Sequence, residues 1–350
     1  MLRTGILIVT HNSVNHIGAC LDALDSIRDV SDPVLVIDNA SDDGTAETVA
    51  VHRSKTQLVR NRENAGFAGA VNQGFKILGD QVDAVLLLNP DVILQTSIDE
   101  LKAACRASGL AGGRLTDLEG NTQVGFSFRR FPNPLVLFLE TVGVNRLWKS
   151  NPVNRAYRCL NVDHEAPGSV DQPAGAMLMV RKDVWIQLKG LDEQFHPVWF
   201  EDVDFCRRAA LAGFRASYVP SVIGRHEGGH SVLQIPDLSR RLYWYASLGR
   251  YSRKHFGRAG WGMVACGVAA AKAVRSVGSV LRWHPGSVRE ANREGMIART
   301  AYVYPAVEPA PQNLKLEVSA EAANSCSRVS LEGIPSTENT ERTLKRLHAR

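Results

Sequence analysis

The 350-residue chain has no C-x-x-C pair; its six cysteines, Cys20, Cys105, Cys159, Cys206, Cys266 and Cys326, are scattered. That spacing excludes a zinc ribbon, provides no disulfide framework and fits a reducing cytosol. Long hydrophobic runs are also missing. The N-terminal run from Gly5 to Val9 is too short for a signal peptide, and the run from Ala259 to Ala271 falls short of the roughly 20 residues a bilayer crossing needs. The first apolar segment ends in Thr10-His11-Asn12-Ser13, with no glycine. A G-x-G-x-x-G turn is therefore absent where a dinucleotide would need it, which argues against NAD or FAD. From Leu238 to Arg289 there are ten basic residues and no acidic one, whereas the whole chain is only +5, so the remainder is net negative. Such asymmetry points one segment toward an anionic partner. With 44% hydrophobic and 22% charged residues, the chain is an ordinary globular protein, neither collagenous nor disordered throughout.

Short apolar runs alternate with helix-period segments through the first third, which predicts βαβ units. Strands read as Gly5 to Thr10, Val34 to Asp38, Gln57 to Arg60 and Asp83 to Leu88. Ile17, Leu21 and Leu24 recur at helical spacing, and Thr45 to His52 and Phe67 to Leu78 are the next crossovers. Residues 110–130 read as shorter, glycine-broken strands. From Phe131 to Gln172, with Pro132, Pro134, Pro152 and Pro167, a loop-rich insert over a site is expected. Pro173 to Arg181 reads as a buried strand, followed by helices at Asp183 to Leu188 and Glu201 to Ala212, the latter stopped by Gly213.

In an open α/β sheet, ligands bind beyond the carboxyl ends of the strands. The residues there are Thr10 and Asn12, then Asp38 and Asn39, then Asn61 to Asn64, then Asn89-Pro90-Asp91. Asp38 suits the N3–H of a pyrimidine, and Asp91 suits a divalent cation, Mg²⁺ or Mn²⁺, bridging two phosphates. Asp42 and Asp43 read as caps of the following helix. Asn64-Ala65-Gly66 opens a helix with small residues, which suits either a bound nucleotide or close helix packing. In Trp199-Phe200-Glu201-Asp202, the aromatics give a carboxylate a partly desolvated setting in which it can serve as a general base; the dipole of a helix start explains the same residues equally well. Asp204 is expected to pair with Arg207 or Arg208. His226 opens His-Glu-Gly-Gly-His-Ser and can complete a metal or diphosphate site, with His230 as a surface residue.

Taken in order, THNS, IDNASDDGT, NAGFAGAVNQG, LLLNPDV, PAGAMLMVR, GLDEQFHPVWFEDVDFCRR and HEGGHS resemble the family 2 glycosyltransferases of GT-A fold, over roughly residues 4–235. The chain resembles in particular their rhamnosyltransferase-like branch, which includes enzymes that act on polyprenyl-diphosphate-linked GlcNAc. The resemblance implies a Rossmann-like mixed sheet flanked by helices, a nucleotide-sugar donor and a lipid-linked saccharide acceptor. It implies that Asp38 reads the base, that Asn89-Pro90-Asp91 stands for the D-x-D metal motif, and that Asp91 is the main metal carboxylate because Asn89 replaces the first one. Asp202, with Glu201 beside it, would be the catalytic base of an inverting displacement, and His226 would help hold the metal or diphosphate. Thr10, Asn12, Asp38, Asn39, Asn64, Gly66, Asn89 and Trp199 would line the substrate. The expected donor is dTDP-L-rhamnose. A UDP-sugar is the alternative within the family, and a non-catalytic nucleotide-sugar or lipid-binding scaffold the alternative outside it.

Three expected units follow: a catalytic domain over 1–235, a basic aromatic helical segment over 236–285, and a weakly ordered tail over 286–350. In the middle unit, Tyr243, Trp244, Tyr245, Tyr251, Phe256, Trp261 and Trp283 interleave with the arginines and lysines, a composition suited to an anionic membrane surface. Its apolar run is interrupted by Lys272 and Arg275, so it would lie on the membrane, at the inner face of the cell membrane, with no nucleic acid expected as partner.

Overall fold

The computed structural model describes residues 2–29, 31–228, 235–281, 302 and 328–329. Four parallel strands, β1 (Thr4–Thr10), β2 (Val34–Asp38), β3 (Thr56–Arg60) and β4 (Ala84–Leu88), lie in the order β3-β2-β1-β4. They are nearly continuous Val, Ile and Leu because both faces of the sheet are covered. On one face Ile6, Ile8 and Val36 pack on α1 (Val14–Ile27), α2 (Thr45–Val51) and α4 (Asp99–Ser108). On the other, Leu7, Leu35 and Ile37 pack with α3 (Gly66–Leu78), α8 (Lys182–Leu188) and α9 (Glu201–Leu211).

Beyond β4 the sheet becomes mixed, in the order β4-β10-β6-β11-β5, where β5 is Val92–Leu94, β6 Gly109–Thr116, β10 Met177–Arg181 and β11 Arg215–His226. The β10 strand runs antiparallel to β4, with Met177 opposite Leu88. The chain entering β10 therefore lies at the end of the sheet where the chain leaves β4. Short strand β8 (Gly168–Val170) flanks β11, and β7 (Phe128–Arg129) pairs with β9 (Gln172–Pro173).

The loop-rich reading of 131–172 is corrected. It holds α5 (Pro134–Thr141), α6 (Val144–Leu147) and α7 (Pro152–Tyr157). Asn133 and Asn151 accept N–H groups from Val136 and Asn154, and each is followed by proline in the first turn. In this segment Pro134 and Pro152 start helices, because their missing N–H is one that the first turn leaves unpaired anyway. β11 runs past Pro220 by an irregularity between Val219 and Ile223.

The basic segment forms α10 (Asp237–Leu281), broken at Gly257 (φ 63°, ψ −173°). Its Tyr245, Leu248, Tyr251, Val264 and Val268 are buried with Leu137 of α5 and Phe195. The helices approach closely: a Cβ at Gly260 would lie 2.8 Å from Pro134. Tyr245 and Tyr251, read as facing a membrane, are thus buried against this cluster. Of the expected tail, Tyr302 and β12 (Arg328–Val329) are described: Tyr302 stacks on Trp261 with centroids 5.8 Å apart, and β12 pairs with β3. The rest of 286–350, like His230, lies outside the described residues.

Candidate active site

At the carboxyl ends of β1 and β2, the Asp38 carboxylate is 3% exposed and accepts hydrogen bonds from the Thr10 hydroxyl (2.9 Å), the Ser41 hydroxyl (2.6 Å) and the Ser41 N–H (3.2 Å). Oδ2 takes only one of these, so it retains acceptor capacity for a ligand. Asn39 is engaged within the protein: its amide donates to Asn64 and to the Gly66 carbonyl, and its oxygen accepts from Asn61 and the Ala65 N–H. Asn12 sits at φ 51° and accepts from the Asp42 N–H. These side chains shape a loop whose backbone closes toward the α3 start. There Gly66 has φ +75°, and an added Cβ would lie 2.6 Å from His196 Nδ1. The Phe67 N–H donates to the Pro197 carbonyl at 2.8 Å. The loop after β2 is thereby joined to the segment that leads into Trp199-Phe200-Glu201-Asp202.

The second cluster is set by strand register. His226 stands opposite Val92 in the β5–β11 pair, one residue beyond Asp91. His226 Nε2 lies 3.6 Å from Asp91 Oδ2, and both residues are buried. Gln123 donates through Nε2 to the His226 carbonyl (2.8 Å), so its Oε1 must be the acceptor facing His226 Nδ1 at 3.0 Å. That fixes the proton on Nδ1 and leaves the Nε2 lone pair aimed at Asp91, too far for a good hydrogen bond but spaced for a shared cation. Burial pushes the imidazole toward its neutral, ligating form, against the opposing Asp91 charge. One carboxylate and one imidazole fit Mg²⁺ or Mn²⁺ only when phosphate oxygens complete the shell. Among the described residues no third His, Cys, Asp or Glu joins them.

The third cluster begins α9. Trp199 (φ 80°) and Phe200 (φ 71°) are consecutive left-handed residues that turn the chain into Glu201. The Asp202 carboxylate accepts hydrogen bonds from the Gly175 N–H (3.2 Å) and the Val203 N–H (2.7 Å). Burial raises its proton affinity, with those N–H groups and the Arg129 charge opposing. Glu201 is 5% exposed, its Oε2 has no hydrogen-bond partner, and burial, followed by the Asp202 charge, pushes its carboxyl well up. Burial thus favours the protonated form of both carboxyls, more strongly in Glu201.

The second and third clusters meet at one turn. The Asn89 N–H donates to the Ala176 carbonyl at 2.9 Å, and neighbouring Gly175 holds Asp202. Asp91 and Asp202 therefore flank the same end of the β4–β10 pair. Sequence reasoning did not single out Gln123, Gly175 or Arg129; only the PAGAM run offered a signal, small residues before a strand.

Residues 5–100 match the family model described as glycosyl transferase family 2. The chain is 30% identical over 245 residues, 66% of this chain and 78% of that protein, to an N-acetylglucosaminyl-diphospho-decaprenol L-rhamnosyltransferase of Mycobacterium tuberculosis strain H37Rv. The chain belongs to glycosyltransferase family 2. It is also 26% identical over 239 residues to rhamnosyltransferase WbbL of Escherichia coli K12, covering 64% of this chain and 83% of WbbL. The mannosyltransferase PcManGT of Pyrobaculum calidifontis, solved with GDP-Man and Mn²⁺, covers 87% of this chain and 88% of that one at 16% identity and a TM-score of 0.49, too distant to bear on the chemistry. This family 2 glycosyltransferase has the expected GT-A class of fold, a mixed sheet flanked by helices.

Proposed function

We propose that this glycosyltransferase moves L-rhamnose from dTDP-L-rhamnose to a polyprenyl-diphosphate-linked saccharide, with inversion and with a divalent cation, in cell-wall or surface-polysaccharide synthesis. The names of the two rhamnosyltransferase relatives support the sugar and the acceptor class. The observation that carries the mechanism is the turn at Gly175–Ala176, which sets Asp202 beside Asn89-Pro90-Asp91.

In this mechanism Asp38 takes the N3–H of the base through its remaining acceptor capacity. Asp91 and His226 hold the cation, which when bound supplies positive charge to the departing diphosphate. Asp202, in its ionised form, removes the proton from the acceptor hydroxyl as that oxygen attacks the anomeric carbon from the opposite side. A single displacement inverts the configuration and needs no covalent enzyme intermediate. A lipid-linked acceptor places the reaction at a membrane surface, cytoplasmic in this reading; no helix among the described residues is long and apolar enough to cross a bilayer.

Asp202→Asn keeps donor binding and loses transfer by about 10³-fold or more, in line with removal of a general base. Retained turnover removes Asp202 from the role. Asp91→Ala weakens dTDP binding in the presence of Mn²⁺ while leaving it unchanged in EDTA; equal binding in both conditions sinks the metal assignment. The second reading, a UDP-sugar donor, is favoured by Asp38, since uracil offers the same N3–H. Thermal stabilisation by a panel of dTDP- and UDP-sugars separates the two, because the preferred donor raises the melting temperature most.

A further inference from the structure

Arg129 sits at the edge of the cleft with its charge uncommitted. It is half-buried on β7, where its pairing with Gln172 of β9 places it three residues from Gly175, the residue that holds Asp202. Its Nε donates to the Gly125 carbonyl at 2.7 Å. The guanidinium lies over two rings, Phe126 at 5.6 Å and Tyr157 at 6.0 Å. Phe126 in turn stacks on His226 with centroids 5.0 Å apart. One ring thus separates Arg129 from the Asp91–His226 pair, and its charge favours the ionised form of Asp202.

No described carboxylate forms an ion pair with Arg129, and no described acceptor takes its terminal Nη groups. By contrast, half-buried Arg208 binds Asp204 and the carbonyls of Leu188 and Gly190. The two rings and the Nε bond orient the plane of this half-buried guanidinium. A fork of N–H donors held rigid, beside one site for a cation and another for a general base, suits the paired oxygens of a phosphoryl group.

We propose that Arg129 is a diphosphate-binding residue whose Nη groups grip phosphoryl oxygens in the cleft between Asp91 and Asp202. The assignment rests on the glycosyl-transfer reading for the identity of the diphosphate, which comes either from the donor nucleotide or from the lipid-linked acceptor. Both carry the same chemistry, and the assay tells them apart.

The test compares wild type, Arg129→Gln and Arg129→Lys. Calorimetry measures the Kd of inorganic pyrophosphate, dTDP and UDP with Mn²⁺, and a transfer assay measures the KM of a synthetic GlcNAc-diphosphoryl lipid. Loss of a charge-assisted fork is expected to weaken the diphosphate contact about ten- to a hundredfold in Arg129→Gln, with partial recovery in Arg129→Lys, which keeps the charge without the fork. A higher nucleotide and pyrophosphate Kd with unchanged acceptor KM assigns Arg129 to the donor. A higher acceptor KM with unchanged nucleotide Kd assigns it to the acceptor. Unchanged values in every arm, in variants that melt with wild type, overturn the proposal. Should Arg129→Gln melt early, Arg129→Lys decides alone, with at least a threefold rise expected in one arm and none overturning it. Wild type that binds pyrophosphate through Arg129 yet transfers no rhamnose to the lipid fails the functional reading and leaves the anion site standing.

Discussion

Asp204, two residues after the proposed base, is fully buried, and its charge is matched by three basic side chains. Oδ1 accepts hydrogen bonds from His255 Nε2 (2.8 Å) and Lys254 Nζ (2.9 Å), both on α10, and Oδ2 accepts from Arg208 Nε (2.7 Å) on its own helix. Burial by itself would raise the pKa, but the His255 hydrogen bond and the Arg208 and Lys254 charges outweigh it and hold the carboxyl at about 2, from an ordinary value near 3.8. A carboxylate whose pKa falls on folding stabilises the protein above its unfolded pKa and loses that contribution as pH drops through the folded one. At about 1.36 kcal/mol per pH unit, Asp204 contributes roughly 2.5 kcal/mol at pH 7, about half of it remaining at pH 3. Asp204→Asn should therefore cost about that much at pH 5–7 and converge on wild type toward pH 2. Urea melts of both proteins at pH 7, 5, 4 and 3 measure the difference curve, in which contributions of other carboxylates cancel. A gap that stays constant from pH 7 to pH 3 refutes the linkage and leaves only a packing defect.

Two glycines carry further predictions. A methyl group at Gly175 would lie 3.1 Å from Asp202 Oδ2 and 3.2 Å from its Cβ, so the carboxylate must shift by a few tenths of an ångström. Gly175→Ala is expected to lower kcat about tenfold with donor Kd unchanged, since small misplacements of a reacting group are costly; an unchanged kcat shows that the Gly175 contact does not position the base. Gly66→Ala must hold a left-handed φ and push His196 aside, so a loss of more than about 1 kcal/mol in stability is expected, together with weaker nucleotide binding. Equal melting temperatures for that variant and wild type would show that the loop relaxes freely.

The parallel half of the sheet was legible because strands buried on both faces must be apolar throughout and must end in polar loops. β1, β2, β3 and β4 accordingly fall within a residue of the runs seen in the chain. Proline misled in the segment from Phe131 to Gln172. Pro134 and Pro152 look like breakers until the preceding asparagines are seen to accept the N–H groups of a helix start. β11 passes Pro220 because the irregularity beside it lets the strand continue to His226. The neighbours Asp91 and His226 are 135 positions apart and meet through the register of β5 against β11, which no local pattern encodes. Arg129 was illegible for the same reason: a two-residue strand has no period, and its position depends on a partner strand 43 residues away.

One face of α10 packs on the segment that leads into the proposed base. Ser247, Tyr251, Lys254 and His255 recur at helical spacing, so they share one stripe of α10. Ser247 donates to the Val198 carbonyl (3.1 Å), Tyr251 packs on Phe200 with centroids 5.1 Å apart, Lys254 binds both Asp192 (2.6 Å) and Asp204, and His255 completes the set. Every one of these contacts falls on the segment from Asp192 to Asp204, which contains the two left-handed residues before the proposed base. Each such residue costs about 1–3 kcal/mol and persists only where its surroundings over-determine it. One face of α10 supplies that constraint, turn after turn, so a chain cut before Asp237 would lose the geometry of Asp202 even though no residue of α10 carries the proposed chemistry.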